Sequence, residues 1–71
     1  MSASKAVPTR ELVPGDVVRY DYGYDVVVAV QPDPSPRAVT VRVVVDAHLS
    51  DGRVVRQAWW AGRDALQPVI R

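Results

Sequence analysis

The chain has 71 residues, a formal net charge of +1, no cysteine and a single histidine, His48. A chain of this length forms one domain with a thin core, and the absence of cysteine excludes disulfide bonds and thiolate zinc sites as reinforcement. The near-neutral charge disfavours a domain built around phosphate backbones, and no apolar run approaches the ~18 residues needed to cross a membrane.

Valine dominates the apolar residues, and phenylalanine is absent. Because valine is stiff at χ1 and packs well on a pleated surface, this composition favours sheet over helix. The first residues lack the apolar stretch of a secretory signal. The sequence therefore predicts a soluble, cytoplasmic, all-β protein without a membrane segment.

The N-terminal region is predicted to be ordered only from residue 7 onward. Residues 1–6 are small and polar, which is typical of a disordered tail, so the single domain is predicted to span residues 7–71. Thr9 is placed to cap one helical turn. Pro14 and Gly15 then form a turn, because proline presets φ and glycine accepts a positive φ.

The first two strands are predicted over residues 17–20 and 25–31. Arg19 favours solvent, which sends Val18 and Tyr20 inward under the alternation of a strand. The second strand is apolar on both faces, which predicts a central and largely covered position.

A proline-rich loop over residues 32–36 separates these strands from the longest one, predicted over residues 38–47. Three prolines in that loop fix φ and remove amide donors, so it is exposed. Residues 50–52 contain the Asp-Gly turn signal and predict a hairpin. Residues 53–60 return beside the longest strand.

A 3₁₀ turn over residues 61–66 is predicted before the last strand, residues 67–70. Five short strands with this turn before the last one predict a small SH3-like barrel, whose closure protects the edges of the sheet. The predicted core contains one tryptophan together with Val18, Val26, Val28, Val39, Val41, Val43 and Val45.

The stretch ELVPGDVV, residues 11–18, resembles the L-x-P-G-D-x-V opening of many SH3-like barrels. Most of residues 7–71 is similar to small barrel proteins of actinobacteria and their bacteriophages, which are mostly of unassigned function. The resemblance implies the barrel fold and brings no functional residue with it. Ribosomal and transcription-factor barrels carry glycines and lysines after the first strand, where this chain has acidic and tyrosine residues. The matching residues are Val7, Pro8, Glu11, Leu12, Pro14, Gly15, Asp16, Trp59, Trp60, Pro68 and Val69.

The polar residues predict a protein that is not an enzyme and that has no cofactor or metal. The sequence has no nucleophile, phosphate-loop or metal-ligand motif, and His48 is predicted to lie on the surface beside a hairpin. A domain this small is also expected to lack a cleft of about 300 Å³ or more. Five aspartates occupy turn or strand-start positions, where carboxylates accept hydrogen bonds from backbone amides: Asp16, Asp25, Asp33, Asp51 and Asp64.

The adjacent tryptophans, Trp59 and Trp60, must point to opposite faces of their strand. Arg56 shares a face with Trp60, and burying an unpaired guanidinium is costly. The sequence therefore predicts Trp59 inside and Trp60 outside. An exposed tryptophan with arginine and tyrosine neighbours has the composition of a binding hot spot, and the candidate binding residues are Trp60, Arg56, Arg42, Tyr22 and Tyr24.

Two classes of function follow from these residues. The first is a protein-interaction module, an accessory factor of phage or actinobacterial type, that uses the aromatic-arginine face or an open strand edge. The second is a nucleic-acid-binding barrel that uses surface arginines and an exposed aromatic. The near-neutral charge favours the first. Two further alternatives are self-association through the valine-rich outer faces of residues 25–31 and 38–47, and a second tryptophan that only covers an open end of the barrel or the 3₁₀ turn.

Overall fold

The computed structural model describes residues 4–35 and 38–70, which form one six-stranded antiparallel sheet. The predicted all-β class is confirmed. Among the described residues, no helix is long and apolar enough to span a membrane. The order across the sheet is β1-β6-β2-β3-β4-β5, where the strands are β1 (Ser4–Pro8), β2 (Val17–Tyr20), β3 (Gly23–Pro32), β4 (Thr40–Leu49), β5 (Val54–Gly62) and β6 (Leu66–Ile70).

The sheet has one strand more than predicted, and it is open rather than a closed barrel. The additional strand is β1, which includes residues 4–6 of the predicted tail, whereas residues 1–3 lie outside the described residues. β1 pairs with β6 over its whole length, from Ser4 opposite Ile70 to Pro8 opposite Leu66. Because this pairing joins the two ends of the chain, no local pattern of residues 4–6 indicates it.

The 3₁₀ helix lies at Thr9–Glu11, not before the last strand as predicted. Residues 63–64 form a turn instead. The side chain of Thr9 does not cap this helix. Its hydroxyl donates a hydrogen bond to the carbonyl of Ala65 at 2.9 Å, and the Thr9 amide donates to the same carbonyl at 2.9 Å. Thr9 therefore joins the end of β1 to the turn before β6.

The predicted turn at Pro14 and Gly15 is confirmed. The amide of Asp16 donates to the carbonyl of Val13 at 3.0 Å, and Gly15 has the positive φ of +96° that this turn requires. The turn also contacts β3, because the Gly15 amide donates to the carbonyl of Val27 at 2.9 Å. The predicted hairpin is confirmed as well: Gly52 has a φ of +91° at the β4–β5 turn.

Nine buried apolar side chains of residues 4–35 and 38–70 form the core. The predicted positions Val18, Val41, Val43 and Val45 are all buried, and Trp59 packs against them. β4 thus has the predicted inward face of odd-numbered valines, with Thr40, Arg42, Val44 and Asp46 on the other face. The complete set is Val7, Leu12, Val18, Val27, Val41, Val43, Val45, Ala47 and Val69.

The predicted register of β3 is wrong. Val27 faces the core, whereas Val26 and Val28 are only half-buried. The pairing with β4 shifts between Val27 and Ala29, which places a bulge at Val28 and brings Val30 against the core. Because both faces of this strand are apolar, alternation did not distinguish the two registers.

Two other residues are more exposed than predicted. Val39, expected in the core, precedes β4 and is 65% exposed. Tyr20, expected to face inward, lies at the end of β2 and is 37% exposed. Both lie where their strand begins or ends, so that no neighbouring strand covers them.

Candidate protein-interaction surface

The outer face is the side of the sheet opposite the core. On β4 and β5 it carries the even-numbered side chains, and Trp60 among them is 56% exposed. The predicted orientations, with Trp60 outward and Trp59 packed on the core, are therefore confirmed. Three cross-strand pairs follow one another along this face: Arg42 with Trp60, Val44 with Ala58, and Asp46 with Arg56.

Arg42 occupies the middle of a row that crosses three strands. It lies opposite Gln31 on β3 and opposite Trp60 on β5. The guanidinium Nη1 donates a hydrogen bond to Oε1 of Gln31 at 3.0 Å. Because this partner is neutral, the positive charge of Arg42 remains beside the exposed indole of Trp60.

Arg56 is held differently, by a carboxylate. Its Nε donates to Oδ1 of Asp46, and its Nη2 donates to Oδ2 at 3.3 Å. This hydrogen bond is the main reason that the pKa of Asp46 lies below its ordinary value. The two contacts direct the guanidinium across to β4, because Asp46 lies opposite Arg56 and a bidentate pair has a defined geometry.

The apolar pair Val44 and Ala58 lies between the two arginine rows. Val44 is half-buried and Ala58 is exposed. Along the two strands, the surface thus presents an aromatic and a cationic side chain, then two small apolar side chains, and then an ion pair. Trp60, Arg42 and Arg56 share the outer face, with Arg42 directly opposite Trp60 and Arg56 four residues away along β5.

The two tyrosines of the predicted site lie elsewhere. Tyr24 is on the outer face but near the other end of β4, where its ring stacks on His48 with centroids 4.6 Å apart. Tyr22 lies in the β2–β3 turn and stacks on Tyr20 at 5.2 Å. The hot spot around Trp60 therefore contains three of the five predicted residues and neither tyrosine.

Asp25 was predicted to cap a turn, but it faces the core. It is 1% exposed, and neither its Oδ1 nor the buried Nε1 of Trp59 makes a hydrogen bond of ordinary geometry. Burial raises the pKa of Asp25, while the nearby Trp59 indole acts in the opposite direction. Burial and the charge of Asp25 also raise the pKa of Tyr20 to about 12. Aspartate is rarely buried in the core of a small domain, so the sequence did not indicate that Asp25 is buried.

The other predicted aspartates behave as turn residues, with one exception. Asp16 accepts a hydrogen bond from the amide of Val13, Asp33 from Ser35, and Asp51 from Arg53. Asp64 instead forms an ion pair with Arg10. Within residues 4–35 and 38–70, no three or more His, Cys, Asp and Glu side chains are grouped as metal ligands.

The surface contains depressions larger than predicted for a domain of this size. Two open grooves each have a volume of about 490 Å³. The first is mainly apolar and is lined by residues that include Leu12, Pro14 and Val28 near the β3 bulge. The second lies between Arg19 and Tyr24. Neither groove includes Trp60, whose indole lies on the outer face outside both.

The sheet edge at β5 adjoins this surface. β5 pairs with β4 on one side and is the last strand of the sheet on the other. It is nine residues long, contains no proline, and its one charged residue is Arg56. Residues 54–58 are all exposed, including Gln57, although its partner Val45 on β4 is fully buried.

Comparisons with protein-family models, with curated proteins and with solved structures find no match to this chain. The resemblance to SH3-like barrels therefore stays a prediction. The function of the chain is inferred from its own side chains and from the edge of its own sheet.

Proposed function

We propose that this domain is a non-catalytic protein-interaction module that binds another polypeptide on the outer face around Trp60. The observation that carries the proposal is the exposed indole of Trp60, opposite Arg42 and beside the apolar pair of Val44 and Ala58. Tryptophan and arginine dominate protein-binding hot spots, because each offers a large contact area together with directional polar groups.

The charges support a protein partner over the alternative, a nucleic-acid-binding barrel. A nucleic-acid groove offers cations to phosphates along its length. Here four arginines of the described residues already contact carboxylates within the chain, which lowers the positive potential that a phosphate backbone would meet. They are Arg10, Arg53, Arg56 and Arg63.

The proposal includes an SH3-like arrangement of β2 to β6. These five strands are antiparallel, and the last of them, β6, lies beside the first, β2. The confirmed Pro14-Gly15 turn precedes β2 in the way that the family resemblance implies. β1 is then an addition to that plan. An accessory role in an actinobacterium or its phage is what the resemblance adds to the proposal, and a cytoplasmic location is proposed with it.

Selection of peptides from a random display library on the immobilised domain tests the protein-binding role. We expect Trp60→Ala to weaken the binding of selected synthetic peptides by about tenfold or more, the effect of a hot-spot truncation. Arg42→Ala should weaken it less. Tyr22→Ala and Arg53→Ala remove an exposed aromatic and an exposed arginine away from the surface, and they serve as matched controls without effect.

Binding of a short oligonucleotide to the domain tests the alternative, a nucleic-acid-binding barrel. Nucleic-acid binding would appear at low salt and fall steeply between about 50 and 200 mM salt, because counterions are released. Such binding, or peptides that bind Trp60→Ala as well as the unmodified domain, would contradict the proposed function.

A further inference from the structure

We propose that β5 pairs in antiparallel orientation with β5 of a second copy of this chain, centred on Ala58. The inference rests on the proposed function, since the pairing completes the surface around Trp60 with Arg56 of the second copy. The second copy would thus occupy the edge of the sheet at β5, while the outer face remains open to a further polypeptide.

The first observation is the open edge itself. β5 presents nine consecutive residues without a proline, and its one charged side chain, Arg56, is bound to Asp46. Long edges without such protection are templates for pairing with another strand. On the inner face, the exposed residues Val55 and Gln57 leave this side of the sheet uncovered as well.

The hydrogen-bond pattern defines which backbone groups are free. At the two ends of the β4–β5 pair, the Leu49 amide donates to the carbonyl of Arg53 and the Arg63 amide donates to the carbonyl of Val39, both at 2.8 Å. The register between these ends has no shift. In an antiparallel pair, bonded and non-bonded positions alternate. The odd-numbered residues of β5 therefore point their backbone groups at β4, and the even-numbered residues point theirs outward.

A two-fold axis at Ala58 is the arrangement that pairs β5 over its full length. Val54 of one copy then lies opposite Gly62 of the other, Arg56 opposite Trp60, and Ala58 opposite its own equivalent. Every directly bonded pair joins even-numbered residues, whose backbone groups point outward. At the end of β5, the Gly62 carbonyl already accepts a hydrogen bond from the Ala65 amide at 3.0 Å. Isologous pairing of this kind closes into a dimer and does not propagate.

The side chains distinguish this register from its neighbours. Across a bonded pair, Arg56 lies directly opposite Trp60 of the second copy, so the indole packs beside the Arg56 side chain while the guanidinium stays on Asp46 of β4. Apart from Gly62 at the end of the strand, Ala58 has the smallest side chain of the outer face on β5, and it lies at the axis. A shift of the axis to Arg56 would place two guanidinium groups opposite each other. On the inner face, Gln57 lies opposite Trp59 of the second copy.

Sedimentation equilibrium of the intact chain tests the dimer at concentrations from about 1 µM to 1 mM, the range in which weak interfaces dissociate. We expect a mass of twice 7.8 kDa at the upper end for the unmodified chain. Ala58→Lys places two like charges at the axis and should return the mass to one chain. Ala6→Lys makes the same change at an exposed alanine of the opposite edge, β1, and should leave the dimer intact.

Single-cysteine variants test the register, because the chain has no cysteine of its own. The Cα atoms of a bonded antiparallel pair are about 5.5 Å apart, which suits a disulfide. With oxidised glutathione, Ala58→Cys should give covalent dimers at least tenfold faster than Val54→Cys, which lies off the axis, or Ala6→Cys. Far-UV circular dichroism confirms that each variant keeps the sheet.

Several outcomes would overturn the inference. These are a single-chain mass at every concentration, a dimer that survives Ala58→Lys but not Ala6→Lys, or faster crosslinking of Val54→Cys than of Ala58→Cys. If the chain is monomeric but Trp60→Ala still abolishes peptide binding, the dimer fails and the proposed function stands.

Discussion

β1 and β5 are the two edges of one sheet, but only β1 has the features by which proteins protect an edge. β1 has five residues, which include the charged Lys5 and Pro8, a residue without an amide hydrogen. Its Val7 is buried in the core. β5 is nearly twice as long, has neither lysine nor proline, and is exposed over residues 54–58. One edge thus completes the fold, while the other offers backbone groups and an indole to a second chain.

The largest expected effect contrasts the two tryptophans of β5. Trp59→Ala removes the main contact of β5 with the core and should cost about 3 kcal/mol, most of the stability at the low end for a chain of 71 residues. Trp60→Ala should change stability by no more than about 0.5 kcal/mol while it weakens partner binding. Urea denaturation followed by circular dichroism measures both. The reverse order would show that the register of β5 is shifted by one residue.

The next effect compares the same substitution at the two edges. Val7 on β1 is 4% exposed and Val55 on β5 is 38% exposed, although both lie on the inner face. Val7→Ala should cost about 2 kcal/mol because it leaves a cavity, and Val55→Ala under about 1 kcal/mol. Urea denaturation of each variant at low protein concentration, where the proposed dimer is dissociated, compares the stabilities of the monomers. Equal losses would show that the two edges are built into the core to the same extent.

The smallest expected effect is a gain in stability rather than a loss, and it concerns Asp25, which lies near Trp59. Because burial raises its pKa, the folded domain binds this proton more tightly than the unfolded chain. The resulting stabilisation is present below the ordinary pKa of 3.8 and is lost as the pH rises through the folded pKa. Asp25→Asn should therefore be more stable than the unmodified domain at neutral pH, and the difference should shrink in acid.

Asp46→Asn is the matched control on the outer face. The pKa of Asp46 is lowered by Arg56, so its contribution is present above the ordinary pKa and is lost as the pH falls through the folded pKa. This variant should be less stable than the unmodified domain at neutral pH. If Asp25→Asn also proves less stable there, the Asp25 carboxylate has a stabilising partner in the folded core.

Local signals predicted the turns and the faces of β4 and β5 from sequence. Gly15 and Gly52 mark positions that need a positive φ, and the period-two recurrence of Val41, Val43 and Val45, with Arg42 and Asp46 on the other face, defines an inward face. The same reasoning placed Trp60 outside, since it shares a face with Arg56. These features depend on a few neighbouring residues, and local physical chemistry decides them.

The features that sequence missed depend on distant residues. β1 exists because it pairs with β6, and the bulge at Val28 adapts β3 to the turn around Gly15. The burial of Asp25 depends on Trp59, more than thirty residues further along the chain. The separation of Tyr22 from the surface around Trp60 follows from the topology, which no residue pattern near either one indicates.

The pairing of β1 with β6 has a consequence for how the chain folds. β3, β4 and β5 are successive neighbours, whose contacts form by closing short loops, whereas Ser4 meets Ile70 only when almost the whole chain has been closed into one loop. Loop-closure entropy makes such distant contacts slow to form. The β3–β5 meander should therefore form first and the two chain ends should pair last. A covalent link between residues 4 and 70, which pair side by side, removes the loop closure from this last and slowest step. It should therefore accelerate refolding more than it slows unfolding.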